Sequence, residues 1–287
     1  MKSLVVLAGL LALVSSEPIL KTSAYNYHAN IGIPKAEKLA QIESAIDFDG
    51  ARIVGGEDSV LGRTPHLGGI IISLTNGKSS VCGSSLLSNT KAVTSAHCWW
   101  DGTNQARRFT IVFGSVTLFS GGVRVNTEDV LVHPLWNPSN VDSDVAIATI
   151  MHVNYNDYVK PIALYSGDAL HVGTWAWTAG YGTTSDSQTS ISQTTSQKHV
   201  SLRVISNAEC RRTFRFIADT VICVTTQKTA STCAGDSGGP LDIGEGDERT
   251  LIGINSFTHT EGCQHGHPVA FSRVSSFYAW INSRLSI

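Results

Sequence analysis

Ser237 lies in "STCAGDSGGPL" (231–241), preceded by Gly235 and Asp236 and followed by Gly238 and Gly239. Backbone with so few side chains lets a large substrate approach the hydroxyl. A serine attacks well only when an imidazole takes its proton, a carboxylate orients that imidazole and amide donors receive the oxyanion. "VTSAHCWW" (93–100) offers His97 directly after a β-type run. "VDSDVAIATI" (141–150) offers Asp144 at the head of an apolar strand. Shielding from water at such a place strengthens a carboxylate's hold on an imidazole. Asp142, two residues earlier, is a competing acid, and Asp236 needs a partner of its own beside a nucleophile. Each signal is weak alone: the chain has 10 histidines, a Gly-rich turn is commonly only a turn, and an aspartate before a strand is commonly a cap.

The elements that must hold these residues read as β structure. The 287 residues are 42% hydrophobic and 15% charged, with 26 glycines against 8 prolines. That describes a globular chain with a sizeable core. Short segments such as "GGIIISL", "RFTIVFG", "DVAIATI" and "TLIGINSF" recur between glycines, as in an all-β domain. "SSFYAWINSRLSI" places Phe277, Trp280, Ile281 and Leu285 on one face of a terminal helix. Residues 183–199, rich in Ser, Thr and Gln, read as a mobile, solvated loop open to proteolysis.

Residues 1–16 read as a secretory signal: Lys2, an apolar stretch Leu4–Val14, then small residues at 14–16. The apolar run is shorter than the roughly 20 residues that cross a bilayer, and these flanks favour a signal over a buried helix. The polar stretch 17–52 contains "PKAEKLAQIESA", a short amphipathic helix, and ends "DFDGAR". A boundary falls between Arg52 and Ile53, leaving 53–287 as the main domain. A net charge of −2 gives no argument for nucleic acid or anionic membrane as partner. In a secreted chain the six cysteines are expected in disulfides, and without a C-x-x-C pair a zinc site is not expected.

Taken together, "IVGG", "TSAHC", "DVAI" and "CAGDSGGPL" resemble the chymotrypsin-like (trypsin superfamily) serine endopeptidases over Ile53–Ile287. The resemblance implies two six-stranded antiparallel β-barrels with a C-terminal α-helix and the active site in the cleft between them. It implies His97 as general base, Asp144 as its orienting partner, Ser237 as nucleophile, and the Gly235 and Ser237 amides as oxyanion hole. Asp142 then becomes a solvated loop acid. Ser256 would hydrogen-bond near Asp144, and Ser256-Phe257-Thr258 would pair with substrate as an added strand. The implied bridges are Cys82–Cys98, Cys210–Cys223 and Cys233–Cys263; no cysteine then remains to tether 17–52, which should leave after cleavage. Cutting after Arg52 would free the Ile53 α-amine to pair with Asp236 and order the Gly235 amide. A free α-amine titrates near about 7.7–8.0. Pairing raises that value, so the stabilisation is full below the free value and lost as pH rises through the raised one.

The sequence departs from the family pattern at Ser95 and Ser84, where Ala and Gly are usual, and at Tyr181, where Trp is usual. The loop 115–122 has no acidic residue, so calcium is not expected there. No cofactor and no metal are expected. The pocket base is Ser231 rather than an aspartate, which argues against Lys/Arg selection. Thr258 and Val269 stand where wall glycines are usual and would narrow the slot. "NSFTHTEGCQHGHPVAFSRV" resembles insect chymotrypsins and the crab and fly collagenase-like enzymes of the same superfamily, and "AHCWWDGTNQAR" looks particularly like insect (lepidopteran midgut) chymotrypsins. A chymotrypsin-like preference for large apolar residues is expected, with elastase- or collagenase-like cleavage as rival. A digestive enzyme secreted to a gut lumen is favoured over a specific cascade protease, because 17–52 carries no cysteine-rich regulatory module. A non-catalytic homologue is disfavoured because all three catalytic types are present. Expected partners are protein or peptide substrates, an activating trypsin-like protease and protein protease inhibitors; a monomer is expected.

Overall fold

A computed structural model describes residues 22–45, 60–182, 197–226, 231–232 and 235–285. Its β structure forms two barrels. The first contains β1 (Leu67–Leu74), β2 (Ser79–Ser88), β3 (Lys91–Thr94), β4 (Ala106–Phe113), β5 (Val123–Thr127), β6 (Val130–Val132) and β7 (Ala146–Thr149). The sheet order is β5-β4-β1-β2-β3-β7-β6. Its two end strands are separated in the chain only by Glu128 and Asp129, so they act as one bent strand that closes the ring. Alternation along β1 and β4 sends Ile70, Ile72, Phe109, Ile111 and Phe113 into a common core; a strand's period of two makes this selection.

The second barrel contains β8 (Ala163–Leu164), β9 (Trp175–Gly180), β10 (Lys198–Ile205), β11 (Val221–Val224), β12 (Pro240–Ile243), β13 (Thr250–Phe257) and β14 (Val269–Arg273). Here β12 pairs with both β9 and β13, which closes a ring, while β8 adds a parallel edge to β13. Each sheet therefore counts seven strands against the expected six. One excess comes from the bend at Glu128–Asp129 and the other from the β8 edge.

Among the described residues three α-helices accompany the barrels: α1 (Ile33–Ala45), α2 (Asn207–Cys210) and α3 (Val274–Asn282). The helix expected in "PKAEKLAQIESA" is α1, entered through a π-helical turn at His28–Gly32. The terminal helix α3 buries Val274, Phe277 and Ile281, with Trp280 and Leu285 packed against the same cluster. Of the expected 183–199 loop, 183–196 lies outside the described residues. Its end is not loop: Lys198 and His199 begin β10, paired to Gly180 and Ala179. Gln197 is buried, with Nε2 donating to Thr64 Oγ1 at 2.7 Å. Strand pairing overrode the polar composition there.

The bridges Cys82–Cys98 and Cys210–Cys223 are formed. Cys263 is also disulfide-bonded; its expected partner Cys233 lies outside the described residues. No described helix is long and apolar enough to cross a membrane.

Candidate active site

β3 ends at Thr94, and the chain tightens into a 3-10 turn at Ala96–Cys98 that carries His97. Two features fix this turn. The Cys82–Cys98 bridge ties it to β2, and Ser95 Oγ donates to the Asn255 carbonyl at 2.6 Å, joining it to β13. The serine that departs from the family pattern thus links the two barrels.

Asp144 meets His97 twice. The His97 backbone N–H donates to Oδ1 at 2.9 Å, and Nδ1 lies 2.8 Å from Oδ2. Both side chains are fully buried. Ser256 Oγ donates to the same Oδ2 at 2.5 Å, and Ser272 Oγ to the Asp144 carbonyl at 2.8 Å. A buried carboxylate is costly unless its oxygens are satisfied, and here Ser256 of β13 and the His97 backbone and ring supply the donors. Asp144 is delivered by a tight turn in which Val141 and Ser143 both take φ of 57°. Such a φ is disfavoured for a β-branched residue and is found chiefly where surrounding structure enforces it. Asp142 lies apart from the imidazole, accepting from Thr220 Oγ1 at 3.3 Å.

The Ser237 turn is held by its backbone: Gly83 N–H donates to the Ser237 carbonyl at 2.6 Å, Gly238 N–H to Asn255 at 2.8 Å, and Gly239 N–H to Asp236 at 2.9 Å. Gly235 and Gly238 adopt φ of 99° and 84°, a region that suits glycine. The Asp236 carboxylate accepts from Gly182 N–H at 2.7 Å. A Cβ on Gly180 or Gly182 would collide with that carboxylate, so the "GYG" glycines make its berth. The intervening Tyr181 donates to the Ser115 carbonyl at 2.7 Å.

His97, Asp144 and Ser237 are therefore brought into one cleft with Ser256. A residue that sequence reasoning missed joins them. Tyr27 packs edge-on against His97, ring centroids 4.7 Å apart, and its hydroxyl lies close enough to the Ser237 side chain to interact with it. Among the described residues Ser237 makes no side-chain hydrogen bond to His97. Burial pushes the Tyr27 hydroxyl well above the ordinary phenol range.

A cavity of ≈ 340 Å³ lies beside this point, lined by Ser237, Asn255, Thr258 and Gly262 together with Tyr27 and Ile31. Of the expected pocket residues, Thr258 lines it and Ser231 and Val269 do not. Val269 packs inside the second barrel with Leu202, Ile222 and Phe271. Phe257 turns its ring onto Phe214, edge-on at 5.1 Å, leaving the backbone of β13 to face the cleft. Arg52 and Ile53 lie outside the described residues.

A family profile described as Trypsin matches residues 53–281. Among curated relatives, "Collagenase" of Hypoderma lineatum is 34% identical over 85% of this chain and 91% of its own length. "Serine protease 1" of Drosophila melanogaster is 33% identical over 82% and 86%, and "Brachyurin" of Leptuca pugilator is 32% identical over 82% and 99%. The solved structure of HL collagenase superimposes with a TM-score of 0.73 at 33% identity, covering 82% of this chain and 99% of that one. With that match and the closed twin barrels around its cleft, the chain belongs to the trypsin family and is a chymotrypsin-like serine endopeptidase.

Proposed function

We propose that His97, Asp144 and Ser237 form the catalytic triad of an enzyme made as a zymogen and secreted for digestion. The observation that carries the reading is the fully buried His97–Asp144 pair, with Ser256 completing the carboxylate's hydrogen bonds. Ser237 Oγ attacks the substrate carbonyl carbon as its proton passes to His97 Nε2. Asp144 keeps Nδ1 protonated and faces the imidazolium charge. The Gly235 and Ser237 amides receive the oxyanion. Collapse of the adduct expels the amine, which takes the proton from His97, and water then repeats the sequence to free Ser237. Removing one oxyanion donor costs about 3–4 kcal/mol in related chemistry.

Activation follows cutting after Arg52, when the Ile53 α-amine pairs with Asp236. Two features support this: the family match begins at residue 53, and the Asp236 carboxylate sits in a glycine-lined berth behind the Ser237 turn. Acetylation of that amine is expected to abolish activity. Disulfides and the apolar run at 4–14 support secretion into a lumen. Ser231, Ser256 and Thr258, with the β13 backbone at Phe257, remain the proposed substrate contacts, with a preference for large apolar residues; Val269, packed in the barrel core, is not among them. The relatives named Collagenase and Brachyurin favour a second reading, a broader collagenase-like specificity.

The test cleaves the chain after Arg52 and assays tetrapeptides differing only before the scissile bond. Activity is expected on Phe and Leu and absent in Ser237→Ala. Hydrolysis persisting in that variant overturns the nucleophile, and a preference for Ala over Phe and Leu overturns the specificity.

A further inference from the structure

Residues 22–45 lie across the cleft, and their contacts match those expected of an inhibitor. Thr22 forms an antiparallel bridge with His259. Ser23 N–H donates to the Thr258 carbonyl at 3.2 Å, and Thr258 N–H donates to Ser23 Oγ at 2.9 Å. The leader thus uses the edge assigned to substrate. Ala24 is fully buried in an apolar cluster with Phe257, Phe214 and Val141. The chain then leaves the substrate path. Asn26 takes φ of 52°, its N–H donates to the Asp101 carbonyl at 3.1 Å, and the backbone winds into the π-helical turn. Beyond Thr22 the leader does not continue as a strand along the cleft.

Tyr27 follows at 1% exposure, against His97 and Ser237 as described, with its hydroxyl donating to the Val81 carbonyl at 2.8 Å. The nucleophile and the base thus share one aromatic plug. Past Gly32, α1 lays Ala36 and Leu39 against Leu67, Val81, Leu118 and Tyr181. Lys35 is only 4% exposed. Its stem passes over Gly235, and the Asp236 carboxylate acts on its ammonium. A buried ammonium near Asp236 resembles, in charge, the one expected from the Ile53 amine. At the far end, Glu43 accepts from Leu118 N–H and Phe119 N–H, each at 2.7 Å.

We infer that residues 22–45 are a reversible, substrate-like inhibitor of this enzyme, with Tyr27 as plug and Lys35 as a second cation for Asp236, and that they still bind after the bond following Arg52 is cut. This rests on the proposed triad. Activation then takes two events, cleavage and departure of the leader.

The experiment cuts the full chain after Arg52 with a limiting dose of trypsin-like protease and follows a small peptide substrate at several enzyme concentrations. Specific activity is expected to rise on dilution and to fall competitively when peptide 22–45 is added. Tyr27→Ala is expected to weaken that inhibition by roughly 30-fold, the scale of a buried aromatic anchor, while Tyr27→Phe gives a smaller loss. Peptides carrying each substitution, added to the wild-type enzyme, keep the result independent of how the variant chains fold. Activity that is independent of concentration and indifferent to the peptide overturns the inference and leaves the triad standing. No Ser237-dependent hydrolysis under any condition overturns the triad itself.

Discussion

Ser256 and Ser95 show how single hydroxyls tune the cleft. Ser256 donates to the buried Asp144 Oδ2 at 2.5 Å. Ser256→Ala leaves that oxygen with one partner fewer, and a hydrogen bond to a charged group is worth about 1.5–3 kcal/mol. We expect kcat to fall roughly 10- to 100-fold with KM little changed, and Ser256→Thr, which keeps the hydroxyl, to recover most of the loss. A variant in which KM carries the change would refute this positioning role. Ser95 acts on stability instead. Its bond to the Asn255 carbonyl spans the two barrels, but that carbonyl also accepts from Gly238 N–H. Ser95→Ala therefore leaves no oxygen unpaired and should cost only about 1 kcal/mol in denaturant unfolding, with the catalytic constants preserved.

At the scale of elements, α1 and the loop 115–122 complete one another. The loop has no carboxylate of its own, and Glu43 of α1 supplies one to its Leu118 and Phe119 amides. Glu43→Gln replaces charge-assisted bonds with neutral ones, so leader binding should weaken by about tenfold. The readout is the concentration at which the cut chain recovers half its activity; the fully diluted enzyme should be unaffected, and an unchanged midpoint would exclude this role for Glu43. The helix itself was legible in "PKAEKLAQIESA", because apolar period and propensity are local. Its docking was not. Tyr27 meets His97, Lys35 meets Asp236 and Glu43 meets Leu118 across long stretches of chain, and Tyr, Lys and Glu are ordinary types on any polar segment. His97, Asp144 and Ser237 were legible for the opposite reason: their chemistry restricts both the residue and its immediate neighbours. Val269 shows the limit of that logic. Its position in the pattern suggested a pocket wall, yet the alternation of β14 sends its side chain into the barrel core.

Across the whole molecule, the leader is held partly by a group whose charging weakens docking. His28 is fully buried; its Nδ1 lies 2.8 Å from Ser80 Oγ, and its backbone N–H donates to Asp101 Oδ2 at 2.8 Å. Burial lowers its pKa from 6.5 to about 4, with His97 pushing the same way and Asp101 and the Cys98 carbonyl opposing. Asp101 stays charged through that range. Its burial works to raise its pKa, but hydrogen bonds from the Asn104 and His28 backbones hold it below the ordinary value. Lys35 titrates higher, lowered by burial to about 8. The undocked leader therefore binds a proton at His28 that the docked leader refuses between about pH 6.5 and 4. The His28 contribution to docking is at full strength above pH 6.5 and weakens by about tenfold per pH unit on acidification through that window. At pH 5.5 the affinity should be roughly tenfold below its value at pH 7.5. Cut Ser237→Ala chain is the right sample, since leader retention on a sizing column is then free of any effect of pH on hydrolysis. His28→Gln should flatten the dependence, and a wild-type affinity constant from pH 7.5 to 5 would show that His28 does not govern release. Under neutral and alkaline conditions the leader stays seated after the cut, so removal there depends on dilution or on proteolysis of the leader itself.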